Sequence, residues 1–329
     1  MTFTRRQYLA LLGAGLAHAS GKPLLEQWRE IASASDGTVG AAALHLPSGQ
    51  HVSLNGQRAF PLASVCKLPI AMRILQMVDE GKLRLNQEIE VLPQEVWPSW
   101  DGDLAARWPQ QHRWTLDELI RLMVAESDNT AVHTLFRIGG AQAGMAASFK
   151  RWRAESVRVD RYEGECYLAS HGVFDPPPFT EWRPGLFEEL VGKAPVAQQE
   201  AGMQKFLADA RDTGTPDGTV ELLARLFRGQ LLSPHSTQRL KEVLESTSTG
   251  KGRLKGMLPP NTVVAHKTGT TSTVKKLNGA TNDVGVILLP GNFGQLAVAV
   301  YITASRQDQA AREQIIAHLA RVAYDRWSV

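Results

Sequence analysis

Two cysteines in 329 residues exclude a fold stapled by a disulfide framework, and such frameworks belong to much shorter chains. The nine histidines are scattered, and no spacing joins them to Cys66 and Cys166 as a zinc site would require, so neither a metal centre nor a cofactor is expected. No apolar run reaches the length of roughly 18 residues that a membrane span needs. Internal repeats and low-complexity segments are missing, so no repeat architecture is expected. Charge of one sign is also scarce. The formal net charge is +3, and an export signal would carry part of it, which leaves no electrostatic case for a nucleic-acid or membrane-surface partner.

The first residues read as such a signal. Arg5-Arg6 precedes the apolar run Leu9 to Ala17 and the small-residue site Ala17-His18-Ala19, a twin-arginine-type pattern too short to anchor in a bilayer. Removing residues 1–19 takes away two arginines and no acid, so the remainder is nearly neutral. It would leave the cytoplasm folded, through the twin-arginine machinery, for a periplasmic or secreted location. The remaining chain, about 310 residues, is long enough to bury a large core in one domain or two joined lobes.

Periodicity places a helix at Leu24 to Ser33, strands at Thr38 to Leu46 and His51 to Leu54, and a helix over 64–80. Leu116 to Arg153 is helical with a break at Gly139-Gly140, and Pro216 and Pro234 each open a further helix. Three strands follow, Val263 to Thr268, Asp283 to Leu289 and Gln295 to Tyr301, with a terminal helix from Gln307 to about Arg326. Opening and closing strands around a helical middle imply one sheet assembled from both ends of the chain. The expected class is therefore α/β (α+β), two-lobed, with residues 20–62 and 246–329 in the sheet lobe, 63–245 in a helical lobe, and a pocket between them.

Three short motifs occur in order: Ser64-Val65-Cys66-Lys67, Ser127-Asp128-Asn129 and Lys267-Thr268-Gly269. Each is weak alone. A serine hydroxyl needs a neighbouring base before it is a good nucleophile, and Lys67, three residues on, shares a helix face with Ser64. A helix that starts at the serine also directs backbone N–H groups toward a developing oxyanion. Ser-Asp-Asn fits a helix N-cap as well as a polar turn. Lys267 lies on an expected strand, where Gly269 permits close backbone approach.

Together the motifs resemble those of class A serine β-lactamases, within the penicillin-binding serine hydrolase superfamily, from about Lys22 to the C-terminus. The resemblance implies an antiparallel five-stranded sheet flanked by helices. It implies Ser64 as nucleophile, Lys67 as proton carrier, Ser127 as the donor to the departing lactam nitrogen, and Asn129 as a substrate amide contact. Lys267 and Thr268 would hold the substrate carboxylate, and the N–H groups of Ser64 and Thr270 would form the oxyanion hole. Arg158 to Glu165 resembles the start of the family's Ω-loop, which makes Glu163 the base that activates the deacylating water; Glu165 is the alternative register. Either Lys67 or Glu163 can take the first proton.

The departures from the family pattern are specific. No arginine occupies the strand after Lys267-Thr268-Gly269, where Asn282-Asp283 stands, and Arg253 is the substitute anchor for the carboxylate, against a plain surface arginine. Tyr167 stands where an asparagine usually co-orients the water, and Gly164 replaces a proline. With Arg161 and the Arg211-Asp212-Thr213 segment as its ends, the Ω-loop spans 161–212, far beyond the ordinary 6–16 residues. Its apolar content implies a folded minidomain, with helix-like pieces near 185–191 and 197–210, that shapes access to the cleft. Trp97, Trp100, Trp108 and Trp114 are either an aromatic rim or, preferably, packing for a long loop. Cys66 and Cys166 would be near neighbours, as two buried thiols in preference to a disulfide.

The expected activity is hydrolysis of the β-lactam ring of a small-molecule antibiotic by a monomer. The alternatives are a penicillin-binding D,D-peptidase, a glutaminase-like serine amidase, and a catalytically silent binding protein that keeps the fold.

Overall fold

Five strands form the central sheet: β1 (Thr38–His45), β2 (His51–Leu54), β3 (Val264–Thr270), β4 (Leu277–Leu288) and β5 (Gln295–Ser305). They belong to a computed structural model that describes residues 22–98 and 102–328. The spatial order is β2-β1-β5-β4-β3, with every pairing antiparallel. A two-residue strand, Thr273–Val274, folds back on the start of β4. The N-terminal hairpin thus lies beside the C-terminal strands, as expected of a sheet built from both chain ends. The signal-like residues 1–19 and Trp100 lie outside the described residues.

Both faces of the sheet are covered, which explains why β5 is buried along nearly its whole length. One face packs Val39, Val298, Val300 and Ile302 against Leu24 and Trp28 of the Leu24–Ala32 helix and Ile315, Ile316 and Leu319 of the Gln309–Trp327 helix. The other face packs Ala42, Val286 and Ala299 against the helical middle of the chain. That second core runs without interruption into Leu75, Leu119, Val132, Phe149 and Leu223, so one apolar interior joins the two expected lobes.

The helical middle departs from its periodicity at the catalytic motifs. The segment expected as one helix over 64–80 opens as a 3₁₀ turn, Ala63–Cys66, and becomes α-helical only over Lys67–Asp79. Ala63 takes a positive φ of 48° immediately before the serine, so the chain enters this turn through a kink. Downstream, the Leu116–Arg121 helix widens into a π-helical turn, Leu122–Glu126, and stops at Ser127, whose φ is 64°. Asp128 then caps the Asn129–Ile138 helix by accepting from the Ala131 N–H at 2.8 Å. Two apolar helices in sequence therefore conceal a sharp turn that presents Ser127.

The 161–212 segment closes on itself as its end residues imply. Arg161 Nε donates to Asp212 Oδ2 at 2.6 Å, and the same carboxylate accepts from the backbone N–H of Asp160 and Arg161 at 2.7 and 3.0 Å. Between these ends lie helices Glu163–Ser170, Leu186–Lys193 and Val196–Ala208. The last two match the helix-like pieces; the first opens at Glu163, within the stretch that resembles the start of an Ω-loop. An aromatic core of Trp97, Leu168, Trp182, Leu186 and Phe187 fills the segment's inside.

Candidate active site

Residues of the first two motifs line one cleft of about 230 Å³, walled among others by Ser64, Cys66, Asn129, Glu163, Tyr167 and Thr270, and the third motif is tied to them through Lys267 and Ser127. The buried Lys67 ammonium donates to Asn129 Oδ1 at 2.5 Å, Ser127 O at 2.6 Å and Ser127 Oγ at 3.2 Å. Lys267, equally buried, donates to the same Ser127 Oγ at 3.0 Å. One hydroxyl therefore bridges two ammonium groups, which suits it to pass a proton. Burial, then the positive charge of Lys67, pushes the Lys267 pKa down to about 7.

Gly269 acts differently from its sequence reading. A Cβ at this position would lie 2.6 Å from Leu62 O, 3.1 Å from Val65 N and 3.2 Å from Ser64 N. Its missing side chain lets β3 approach the nucleophile turn itself, and this approach brings the Ser64 and Thr270 backbones to one cleft. Thr268 hydrogen-bonds Thr249 Oγ1 at 2.6 Å.

Asn282 and Asp283, where an arginine is missing, are fully buried and already engaged. Asn282 Nδ2 donates to Pro61 O and Leu62 O at 2.8 and 3.0 Å, which ties β4 to the chain entering Ser64. Asp283 pairs with His266 at 2.9 Å. Arg253 is buried too, so it is no plain surface arginine. Its guanidinium donates to Thr270 Oγ1 at 2.6 Å, Asn282 O at 2.8 Å and Gly269 O at 3.1 Å, and pairs with Glu313 at 3.1 Å. It stands behind Thr270 and directs that hydroxyl, instead of projecting into the cleft.

The two glutamates of the 161–212 segment separate cleanly. Glu163 lines the cleft. Glu165 turns back and accepts from the Tyr162 N–H at 2.8 Å, capping its own helix. Gly164 between them also has a reason: a Cβ would lie 2.6 Å from Phe187 and 2.7 Å from Trp182. The aromatic core that fills the segment requires a glycine where relatives of the pattern carry proline.

Sequence reasoning missed His133. It is fully buried, ringed by Trp97, Tyr162, Trp182 and Phe187. Burial pushes its pKa down to about 3, so the ring is neutral. Its Nε2 accepts from the Gly164 N–H at 3.0 Å, and Nδ1–H donates to Glu95 O at 3.2 Å. The ring thus pins the residue next to Glu163. Neither partner is near His133 in sequence, so no local pattern announces it.

Trp97 and Trp114 are buried, and Trp108 packs against the core. Trp97 also lines the cleft and meets Tyr167 edge-on at 5.4 Å. Packing is thus the main work of the described tryptophans, with one of them reaching the cleft. Cys66 and Cys166 are free thiols that line the same cleft. Among the described residues there is no cluster of three or more His, Cys, Asp or Glu that could hold a metal, and no helix is long and apolar enough to cross a membrane.

Residues 23–327 match the family described as the Beta-lactamase enzyme family. The chain is 32% identical over 304 residues to the extended-spectrum beta-lactamase PER-1 of Pseudomonas aeruginosa, covering 92% of this chain and 87% of that one. It is 29% identical over 298 residues to the beta-lactamase VEB-1 of the same organism, covering 90% and 87%. Among solved structures it resembles a beta-lactamase from Chitinophaga pinensis, at 30% identity and a TM-score of 0.74 over 92% of this chain and 98% of that one. The TLA-3 extended-spectrum beta-lactamase aligns with a TM-score of 0.76 at 26% identity, over 93% and 98%.

Proposed function

The chain belongs to the β-lactamase enzyme family as a serine hydrolase of class A type, and we propose that its cleft hydrolyses the β-lactam ring through an acyl-enzyme on Ser64. The Ser64 hydroxyl attacks the lactam carbonyl, and its proton passes to the Lys67–Glu163 side of the cleft. The N–H groups of Ser64 and Thr270 receive the oxyanion. Ser127, held between two lysines, delivers a proton to the lactam nitrogen as the C–N bond breaks, leaving an ester on Ser64. Glu163 then takes a proton from a water that attacks this ester, and Ser64 departs with a proton restored.

Lys267 and Thr268 contribute the positive and hydrogen-bonding ends for the substrate carboxylate. Asn129 meets the substrate amide, and Arg253 acts through Thr270. The 161–212 segment is an enlarged Ω-loop whose Tyr167, Ser170 and Phe206 wall the cleft. The observation that carries this reading is the Ser127 hydroxyl, 3.2 Å from Lys67 Nζ and 3.0 Å from Lys267 Nζ, with the same Lys67 held to Asn129, which lines the cleft together with Ser64 and Glu163. A D,D-peptidase lacks a carboxylate placed as Glu163 is, and a silent binding protein has no need of the doubly held serine.

The test is hydrolysis of a chromogenic cephalosporin, with Glu163→Gln run beside the wild type and intact mass followed in time. Turnover by the wild type and a stable mass adduct on the variant are expected. A wild type that acylates and stays acylated would overturn the hydrolase reading. The same mass measurement, on protein recovered from the periplasm, checks that residues 1–19 have been removed after export.

A further inference from the structure

The wall of the cleft beneath Glu163 carries a contact that the proposed cycle does not use. Cys66 Sγ donates to Glu163 Oε2 at 3.6 Å, within reach for a sulfur donor. The two residues are far apart in sequence and meet because the 3₁₀ turn carrying Ser64 and the helix starting at Glu163 face each other across the cleft.

We propose that Cys66 is a positioning residue for deacylation, its thiol donating to the Glu163 carboxylate and fixing the orientation in which that group receives a proton from water. The inference rests on the reading of Glu163 as the deacylation base. Cys66 is well suited to a constant donor role. It sits between the nucleophile and Lys67 on a rigid turn and is buried. Burial, and then the negative charge of Glu163, pushes its thiol well above the ordinary value, so the S–H proton stays in place across the working pH range. Tyr167, standing where the family pattern has a water-orienting asparagine, makes a donor from the opposite wall useful.

The charged and titratable groups around Glu163 come from every element that packs on it. Cys66 and Lys67 lie on the nucleophile turn and its helix, and Lys267 on β3. Arg161 and Cys166 flank it on its own segment, and Asp212 stands at that segment's other end. Apart from Cys66 itself, the residues in this set keep their identity when the Cys66 side chain is exchanged, so variants at that position test the donor.

The experiment compares Cys66→Ser, Cys66→Ala and Cys66→Val with the wild type and Glu163→Gln, after circular dichroism shows which variants fold. Acylation is read from the burst and deacylation from the decay of the acyl-enzyme mass, each from pH 4 to 9. Serine keeps a donor, alanine removes it, and valine removes it while filling the space. We expect deacylation by the alanine and valine variants to fall about tenfold or more, with the acylation burst retained. The serine variant should keep its deacylation rate near the wild type. Wild-type deacylation in the alanine and valine variants would overturn the Cys66 role, while an acylated Glu163→Gln leaves the base assignment standing. Equal loss in serine, alanine and valine would overturn it as well, because packing would then explain the effect. Normal turnover by Glu163→Gln would remove the base itself and the inference with it.

Discussion

Replacing Asp212 by alanine removes the residue that closes the 161–212 segment. Its carboxylate accepts three hydrogen bonds, from the N–H groups of Asp160 and Arg161 and from Arg161 Nε. The paired side chains are 7% and 10% exposed, so the interaction is not screened as a surface pair would be. Breaking a buried pair by removing one partner costs about 3–5 kcal/mol, because the remaining charge stays buried without compensation. Asp209 offers partial relief at 3.4 Å from the Arg161 guanidinium, so the low end, about 3 kcal/mol, is expected.

That free energy is local. Arg161 lies two residues before Glu163, and the hydrogen bonds of the Asp212 carboxylate go to Asp160 and Arg161 at the segment's own start. At about 1.4 kcal/mol per factor of ten, local opening of the segment should rise roughly 10²-fold. Hydrogen exchange of amides over 160–172 should speed up by that factor, with exchange in β5 unchanged. Single-turnover acylation should persist and deacylation should fail, because Glu163 is carried on the opened segment. Asp209→Ala is the control; its carboxylate is 22% exposed and also pairs with the surface Arg211, so about 1 kcal/mol or less is expected. Exchange that rises equally across the molecule in Asp212→Ala, or a segment that stays protected, would refute the reasoning.

Two further outcomes follow from the opposite wall. Lys267, with its pKa pushed down to about 7, is protonated below that pH and loses its charge as pH rises through it. For lactams carrying a carboxylate, kcat/KM should therefore fall on the alkaline side of about 7, and Lys267→Arg should move that limb beyond pH 9; a wild-type profile flat from pH 6 to 8.5 would contradict this. Gly269→Ala places a Cβ 2.6 Å from Leu62 O, a backbone atom that cannot swing away. The strand must recede from the nucleophile turn, and a displacement on the order of 1 Å should cost kcat/KM about 10²-fold, measured on a variant whose near-ultraviolet circular dichroism is unchanged.

Legibility in the sequence followed the range of the interaction. The sheet strands and the terminal helix announce themselves through local periodicity, and their assembly into one sheet from both chain ends was readable from their order, while the antiparallel pairing came with the family resemblance. The boundaries that moved are those set by contacts. β4 begins at Leu277, six residues before the Asp283 start read from the sequence, because Asn278, Asn282 and Asp283 are polar residues whose partners lie elsewhere in the fold. Their hydropathy argues for a loop, and their hydrogen bonds make a strand. Ser127 shows the same limit in reverse, since two good helices flank a left-handed residue that propensity alone does not reveal.

For the cleft, spacing located Ser64 and Lys67 because both stand on one turn. The resemblance favoured Glu163 over the alternative register Glu165, two residues on along one helix, but it gave no physical reason for that preference. That choice depends on what surrounds the intervening residue. Phe187 and Trp182 leave no room for a Cβ on Gly164, and His133 fixes the Gly164 N–H at 3.0 Å. With this residue held against the aromatic core, Glu165 caps the helix and Glu163 faces Cys66 and the cleft. The 161–212 segment is thus part of how the acid is aimed: Trp182 and Phe187 lie within it, and the glycine they require sits beside Glu163. A shorter segment without those rings would leave the position free for the proline of the family pattern, and the acid would have to be oriented by other means.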